Sequence, residues 1–220
     1  MIKVVCVGCS WTDGFEEFSY KETYPHIIKE RHPDWKVYNL GLRGANNFFI
    51  NMVLEQALRD IEPDFVVRQV TTWNRWMTYD DRIQLHYDEL EPGYWHSNLD
   101  AYSNTVMWTA GSLCHPNYYD AKYYDKIRQH HYEHMPEQFS LELEEAALTK
   151  TEKLLRDTPH TLLFWKDNTS KLANPDWWKY YPCIERDIGF SDAVDSGKHF
   201  LRDGNTKVAD LLIENIQIHV

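Results

Sequence analysis

Long apolar runs are missing from this 220-residue chain. No stretch approaches the ~20 consecutive apolar residues that a membrane-spanning helix requires. Residues 2–7 form a short apolar run before polar residues return, which is too little for the apolar centre of a secretory leader. Cysteine is scarce: Cys6, Cys9, Cys114 and Cys183 are the only four. Cys6 and Cys9 alone stand at a redox- or metal-like spacing, and Cys6 lies inside a strand-like run, where it reads as a small buried apolar residue. These absences point to a cytoplasmic, reduced protein that does not engage a membrane. Basic residues are also few. The 23 Lys and Arg against 34 Asp and Glu leave a formal net charge of -11, which argues against a broad nucleic-acid surface and favours solubility and repulsion of anionic polymers. Internal repeats, low-complexity tracts and dividing linkers are absent too, so residues 1–220 are expected to form one domain around one core.

What the chain does contain is an alternation of apolar runs with helix-like segments. Residues 2–7, 35–38, 64–70 and 161–165 read as strands. Residues 24–31 read as a helix stopped by His32-Pro33. Residues 45–61 read as a second, with Phe48, Phe49, Met52, Val53 and Leu58 near helical spacing and Pro63 beyond. A third covers 136–157, with Leu141, Leu143, Leu148, Leu154 and Leu155 set among charged residues, and a last one runs from Asn205 to about Ile216. Strand and helix in turn, with short connections, predict an α/β fold. The expected form is a flavodoxin-like, three-layer α/β/α arrangement with a parallel sheet covered on both faces.

Residues 76–135 break that pattern. They are rich in Trp, Tyr and His and show no clear period before about Asn117, which predicts a long aromatic-rich insertion shaping a pocket at the active edge of the sheet. Trp73, Trp76, Tyr79, Tyr87, Tyr94, Trp95, Tyr102 and Trp108 either line a groove or pack the insertion onto the sheet, packing being the commoner role. Residues 177–181, Trp-Trp-Lys-Tyr-Tyr, divide the same way. Asp80, Asp81, Asp88, Glu89 and Glu91 read as solvated loop charge. His130, His131 and His134 read as a solvated helix face and not as a metal site, because zinc needs further ligands and Glu133 lies on another face.

The heptapeptide Gly8-Cys9-Ser10-Trp11-Thr12-Asp13-Gly14 directly follows the first strand. A strand that ends in Gly-x-Ser and turns through a second glycine presents a hydroxyl at the carboxyl edge of a sheet, where open α/β folds hold their ligands. Such a serine is a nucleophile if a base takes its proton; in isolation the motif would equally be a turn serine capping a helix. A nucleotide loop is disfavoured, since neither Walker nor Rossmann glycine spacing is present. Three later segments follow strands or open the last helix. They are Asn39-Leu40-Gly41-Leu42-Arg43-Gly44-Ala45-Asn46-Asn47, Thr71-Thr72-Trp73-Asn74-Arg75 and Asp195-Ser196-Gly197-Lys198-His199. Serine, glycine, asparagine and histidine in this order resemble the SGNH (GDSL-type) hydrolase family. The resemblance spans both ends of the chain and leaves roughly residues 76–160 unmatched.

That resemblance implies ester hydrolysis through an acyl-serine intermediate, without metal or organic cofactor. Ser10 would attack, and His199 would take the proton and return it to the leaving group. Asp195 would orient His199 from four residues before it; the family's usual place, three before, holds Ser196, and Asp192 is the alternative acid. The backbone N–H groups of Ser10 and Gly44 and the side-chain amide of Asn74 would hold the oxyanion. Gly41 competes with Gly44. Thr72 or Asn46 competes with Asn74, because the family's Gly-x-Asn-Asp lacks its glycine and final aspartate here. Cys9 stands where the family has the aspartate that helps hold the nucleophile loop. Trp11, Asn46, Trp73 and Arg75 are expected to contact substrate. The substrate class implied is a small-molecule or glycan ester, an O-acetyl group or a short acyl chain. The departures also fit a second expectation, an inactive SGNH-like fold serving as a carbohydrate-binding or assembly module. The distance from Ser10 Oγ to the His199 ring separates the two.

Overall fold

The computed structural model describes residues 1–14, 19–71, 75–79, 84–98, 105–109, 113–114, 126, 129, 137–164, 181–189 and 199–220, with the backbone alone for 75–79, 105–109, 113–114 and 137–140. Its first half alternates as expected: β1 (Lys3–Gly8), the single-turn α1 (Ser10–Asp13), a 3-10 turn (Tyr20–Glu22), α2 (Tyr24–Arg31), β2 (Lys36–Gly41), α3 (Asn47–Asp60) and β3 (Phe65–Val70). Five short strands follow: β4 (Arg75–Tyr79), β5 (Tyr87–Glu91), β6 (Tyr94–Ser97), β7 (Thr105–Thr109) and β8 (Leu113–Cys114). The chain closes with α4 (Glu137–Leu155), β9 (His160–Phe164), the short α5 (Ile184–Asp187) and α6 (Arg202–His219). No described helix is long and apolar enough to cross a membrane.

The main sheet has the order β5-β6-β2-β1-β3-β9. From β6 to β9 every pairing is parallel, and β5 adds an antiparallel edge. A single parallel bridge between Phe164 and Cys183 extends the sheet past β9. Helices α2 and α6 pack together, as do α3 and α4. The central strands read as continuous apolar runs because both of their faces are covered; Val4, Val5, Cys6 and Val7 of β1 are wholly buried.

The aromatic-rich stretch differs from its expected irregular form. It holds five strands, two of which, β5 and β6, belong to the main sheet, while β4, β7 and β8 form a separate antiparallel sheet. Strands of two to five residues are too short for a two-residue period to register, and aromatics on both faces of β5 and β6 hide the alternation. Tyr87 and Trp95 pack on Tyr38, ring centroids 5.7 and 4.5 Å away, and Tyr94 is fully buried. These aromatics therefore fasten the hairpin to the sheet. Glu91 is corrected from solvated loop charge to a structural acid: it accepts from the Tyr20 hydroxyl at 2.7 Å and pairs with Lys21 at 2.9 Å and His26 at 3.2 Å. Those partners hold its carboxyl down to about 2. The side chains of Trp73, Trp76, Tyr79, Tyr102 and Trp108, and residues 130–134 and 177–180, lie outside what is described.

Strand β3 is buried along its whole length yet carries Arg68 and Gln69. Neighbouring strand residues face opposite sides of a sheet, so each must be satisfied by a different helical layer. Arg68 donates to Asn47 Oδ1 at 2.7 Å, Asn51 Oδ1 at 3.2 Å and the Asn47 carbonyl at 3.3 Å, all on α3. Asn47 in turn donates to Glu144 of α4 and to the Thr71 carbonyl at 3.0 Å, and accepts from the Thr71 N–H at 3.1 Å. Thr151 donates to Asn51 at 2.7 Å. Gln69 faces the other layer, where its Oε1 accepts from the Cys9 N–H and the Thr12 hydroxyl, each at 3.0 Å. Burial draws Arg68 down to about 10, so it stays charged near neutrality, and burial pushes Glu144 up to about 7.

Two outcomes follow from β3. A Glu144 carboxyl that binds its proton more tightly when folded adds stability in full below its unfolded value of 4.5, and loses it as pH climbs through about 7. Thermal melts from pH 5 to 8 should therefore show the wild type losing roughly 2–3 kcal/mol that Glu144→Gln does not lose; parallel curves for the two proteins would refute this. Gln69→Leu strands the Cys9 N–H and the Thr12 hydroxyl, and urea unfolding should report a loss of about 2–4 kcal/mol. An unchanged midpoint would show that Gln69 is not their necessary partner.

Candidate active site

Strand β1 pairs with β2 on one side and β3 on the other. Chain connections therefore leave β1 in opposite directions, and the crevice this opens lies beyond the carboxyl ends of β1 and β3. Ser10, the first residue of α1, stands at that crevice. As the first helical residue its N–H has no intrahelical acceptor.

The turn that carries Ser10 is held from below and from the side. Gln69 fixes its start through Cys9 and Thr12, and Thr12 spends its one proton on Gln69, so the Tyr24 hydroxyl 2.9 Å away donates to Thr12. Asn39 of β2 donates to the Thr12 carbonyl at 2.8 Å and accepts from the Gly41 N–H at 3.1 Å. Close approach makes two glycines obligatory. A Cβ on Gly8 would stand 2.1 Å from Thr12 Oγ1, and one on Gly41 2.2 Å from the Asp13 nitrogen. The Cys9 sulfur rests against Gln69, 3.2–3.3 Å from its carboxamide atoms. Gln69 thus performs the loop-holding expected of the family's aspartate, by reaching in from a neighbouring strand.

A second clamp joins this turn to the loop after β2. Arg43 Nε donates to Asp13 Oδ2 at 2.9 Å, and His96 Nε2 lies 3.1 Å from the Asp13 carbonyl and 3.5 Å from its Oδ1. Burial raises the Asp13 carboxyl to about 6 against the opposing pull of His96 and Arg43. Ser97 donates to the Gly41 carbonyl at 2.6 Å, and the Tyr94 hydroxyl accepts from Asn39 at 3.2 Å. Strand β6, from the stretch without a readable period, therefore braces the two loops of the site. Sequence reasoning missed Gln69, Asn39, Asp13, Arg43, His96 and Ser97 in these roles. The Asn-x-Gly of Asn39 to Gly41 was the one local signal among them.

His199 arrives from the other end of the chain. Its Nε2 lies 2.8 Å from Ser10 Oγ, across 189 residues of sequence. With the serine as donor, Nε2 is the unprotonated nitrogen and the ring carries its proton on Nδ1. The imidazole stacks on Trp11 with centroids 5.5 Å apart and 29° between planes, and Phe200 meets the same indole edge-on at 4.8 Å. Phe200 fits because Gly204 leaves room; a Cβ there would sit 2.5 Å from the ring. Asn205 ties the turn together, its Nδ2 donating to the Phe200 carbonyl at 3.1 Å.

The other expected residues fall as follows. Trp11 is buried against His199 and Phe200, so it props the histidine and contributes to the wall of the recess. Gly44 occupies the turn after β2 with φ of 74°. Asn46 caps α3, its Oδ1 accepting the Phe49 N–H at 2.8 Å, so that oxygen is committed to the helix. Arg75 opens β4. Trp73, Asn74, Asp192 and Asp195 lie outside the described residues, as does Thr72. Ser10 and His199 line a common recess, open to solvent, with Glu22, Thr23 and Asn205.

No family model matches this sequence, and no curated protein sequence does. Solved structures do match. The psychrotrophic esterase EstA from Pseudoalteromonas sp. superimposes with a TM-score of 0.54 at 12% identity, over 98% of this chain and 97% of its own. An acetylxylan esterase from Geobacillus stearothermophilus gives a TM-score of 0.50 at 12% identity, over 98% and 94% of the two chains. A chain described as a lipolytic protein of the G-D-S-L family, from Desulfitobacterium hafniense, gives 0.50 at 12% identity over 98% and 99%. At this identity the likeness speaks to architecture. With its parallel sheet, its serine after β1 and its histidine before the last helix, the chain has the SGNH (GDSL-type) hydrolase fold.

Proposed function

We propose that this protein is a serine-dependent ester hydrolase of the SGNH type. The observation that carries the reading is the 2.8 Å contact between Ser10 Oγ and His199 Nε2 at the switch point of the sheet. In this reading Ser10 Oγ attacks the ester carbonyl carbon as its proton passes to His199 Nε2. The carbonyl oxygen becomes an oxyanion held by the N–H groups of Ser10 and Gly44 and the side-chain amide of Asn74. Collapse expels the alkoxide, which takes the proton from His199. Water then attacks the acyl-serine with His199 again as base, returning the serine and releasing the carboxylic acid. Asp195 orients the imidazole through Nδ1. Neither metal nor organic cofactor enters the scheme.

An O-acetyl group on a glycan, or a short acyl ester, is the substrate class. The fold it shares with an acetylxylan esterase and with other esterases supports this reading. A cytoplasmic location belongs to the same proposal and rests on the chain's sparse use of cysteine.

Intact-mass labelling with a fluorophosphonate tests the proposal. The wild type should gain a single adduct that Ser10→Ala and His199→Ala both lose. Either substitution should also lower kcat on a short-chain ester by roughly a thousandfold or more. A folded wild type that takes no adduct would sink the hydrolase and leave the carbohydrate-binding module.

A further inference from the structure

The recess beside Ser10 and His199 is one-sided in charge among the described residues. Glu22 lines it, and its carboxylate makes no hydrogen bond or ion pair among the described residues. Asn205 also lines it. Both donor hydrogens of its amide are directed to the Phe200 and Leu201 carbonyls, at 3.1 and 3.4 Å, while its Oδ1 is buried without a partner. Thr23 has no proton to offer, because its hydroxyl donates to the Tyr20 carbonyl at 2.7 Å. Cations stand close by but are engaged elsewhere. Lys21 pairs with Glu91 at 2.9 Å, and Arg202 pairs with Glu30 and donates to the Lys21 carbonyl at 2.8 Å. Among the described residues, then, the lining carries one formal negative charge and no lysine or arginine, and its donors are the Trp11 indole N–H and the Ser10–His199 pair.

A ligand that settles in such a place must bring donors. A buried or half-buried acceptor left unmatched costs free energy, whereas a hydroxyl group on the ligand satisfies it. A carboxylate or a phosphate on the ligand would instead meet the Glu22 charge in a recess that holds no lysine or arginine among the described residues. We infer that the alcohol portion of the ester is neutral and carries free hydroxyls, and that Glu22 selects it against anionic counterparts. This rests on the hydrolase reading for its ester but not for its selectivity. Glu22 is a specificity residue here, lining the recess beside the Ser10–His199 pair.

The test uses binding, so that it does not depend on turnover. On a Ser10→Ala background, dissociation constants are measured for singly acetylated methyl glucoside and singly acetylated methyl glucuronide, which differ in a hydroxymethyl against a carboxylate. The neutral ligand should bind about five- to tenfold more tightly at low salt, a preference that shrinks as salt is added. Adding Glu22→Gln should bring the two constants within about twofold of each other. Equal binding on Ser10→Ala alone, binding of neither ligand, or a preference that survives Glu22→Gln would each overturn the inference. Selective binding by a protein whose wild type takes no fluorophosphonate adduct would leave the selectivity standing and remove only the hydrolase.

Discussion

Strand β3 carries a guanidinium and a carboxamide into a sheet interior that water does not reach. An unpaired polar group there would cost several kcal/mol, so the layers on either side are built to receive them. Arg68 draws Asn47 and Asn51 of α3 and Glu144 of α4 into one network, which also grips both backbone groups of Thr71. Gln69 takes the start of the Ser10 turn through Cys9 and Thr12. One dipeptide thereby sets the position of the loop after β1 and the direction in which the chain leaves β3.

The Ser10–His199 hydrogen bond does not hold the two ends of the chain together. A bond of that kind contributes about 1 kcal/mol net. The exposed pairs between α2 and α6, Arg31 with Asp210 and Glu30 with Arg202, are worth no more than about 1 kcal/mol each. Burial decides the matter. Val208, Leu212 and Ile216 are wholly buried on α6, with Ala209 beside them and Ile213 nearly so, and each large side chain contributes about 1.5–3 kcal/mol. Packing of α6 sets the position of Phe200, Phe200 wedges against Trp11, and Trp11 supports the imidazole. The serine and histidine meet because the helix that follows the histidine is apolar on one face.

Much of the frame was legible beforehand. Central strands buried on both faces betray themselves as apolar runs, and α2 falls on the residues expected from periodicity. The ends of α3 and α4 shift by one or two residues, because Asn46 caps the former and the last turn of a helix carries little pattern. Ser10 and His199 were legible for a similar reason: each sits at a strand or helix boundary marked by glycine or by a loop. The hairpin of β5 and β6 was not legible. Its strands are short, its aromatics face both ways, and its place beside β2 depends on stacking with Tyr38.

The sequence by itself determined the layer architecture and the two residues that meet at its edge, because those follow from local periodicity and from turn chemistry. Only the tertiary structure decided what surrounds them. Gln69 holds the start of the Ser10 turn, Asp13 is clamped by Arg43 and His96, and Glu22 has no ion-pair partner among the described residues, Lys21 and Arg202 having turned to others. Each of those facts depends on which side chains distant in sequence come within about 3 Å of one another, and that distance is set by the packing of layers and not by spacing along the chain.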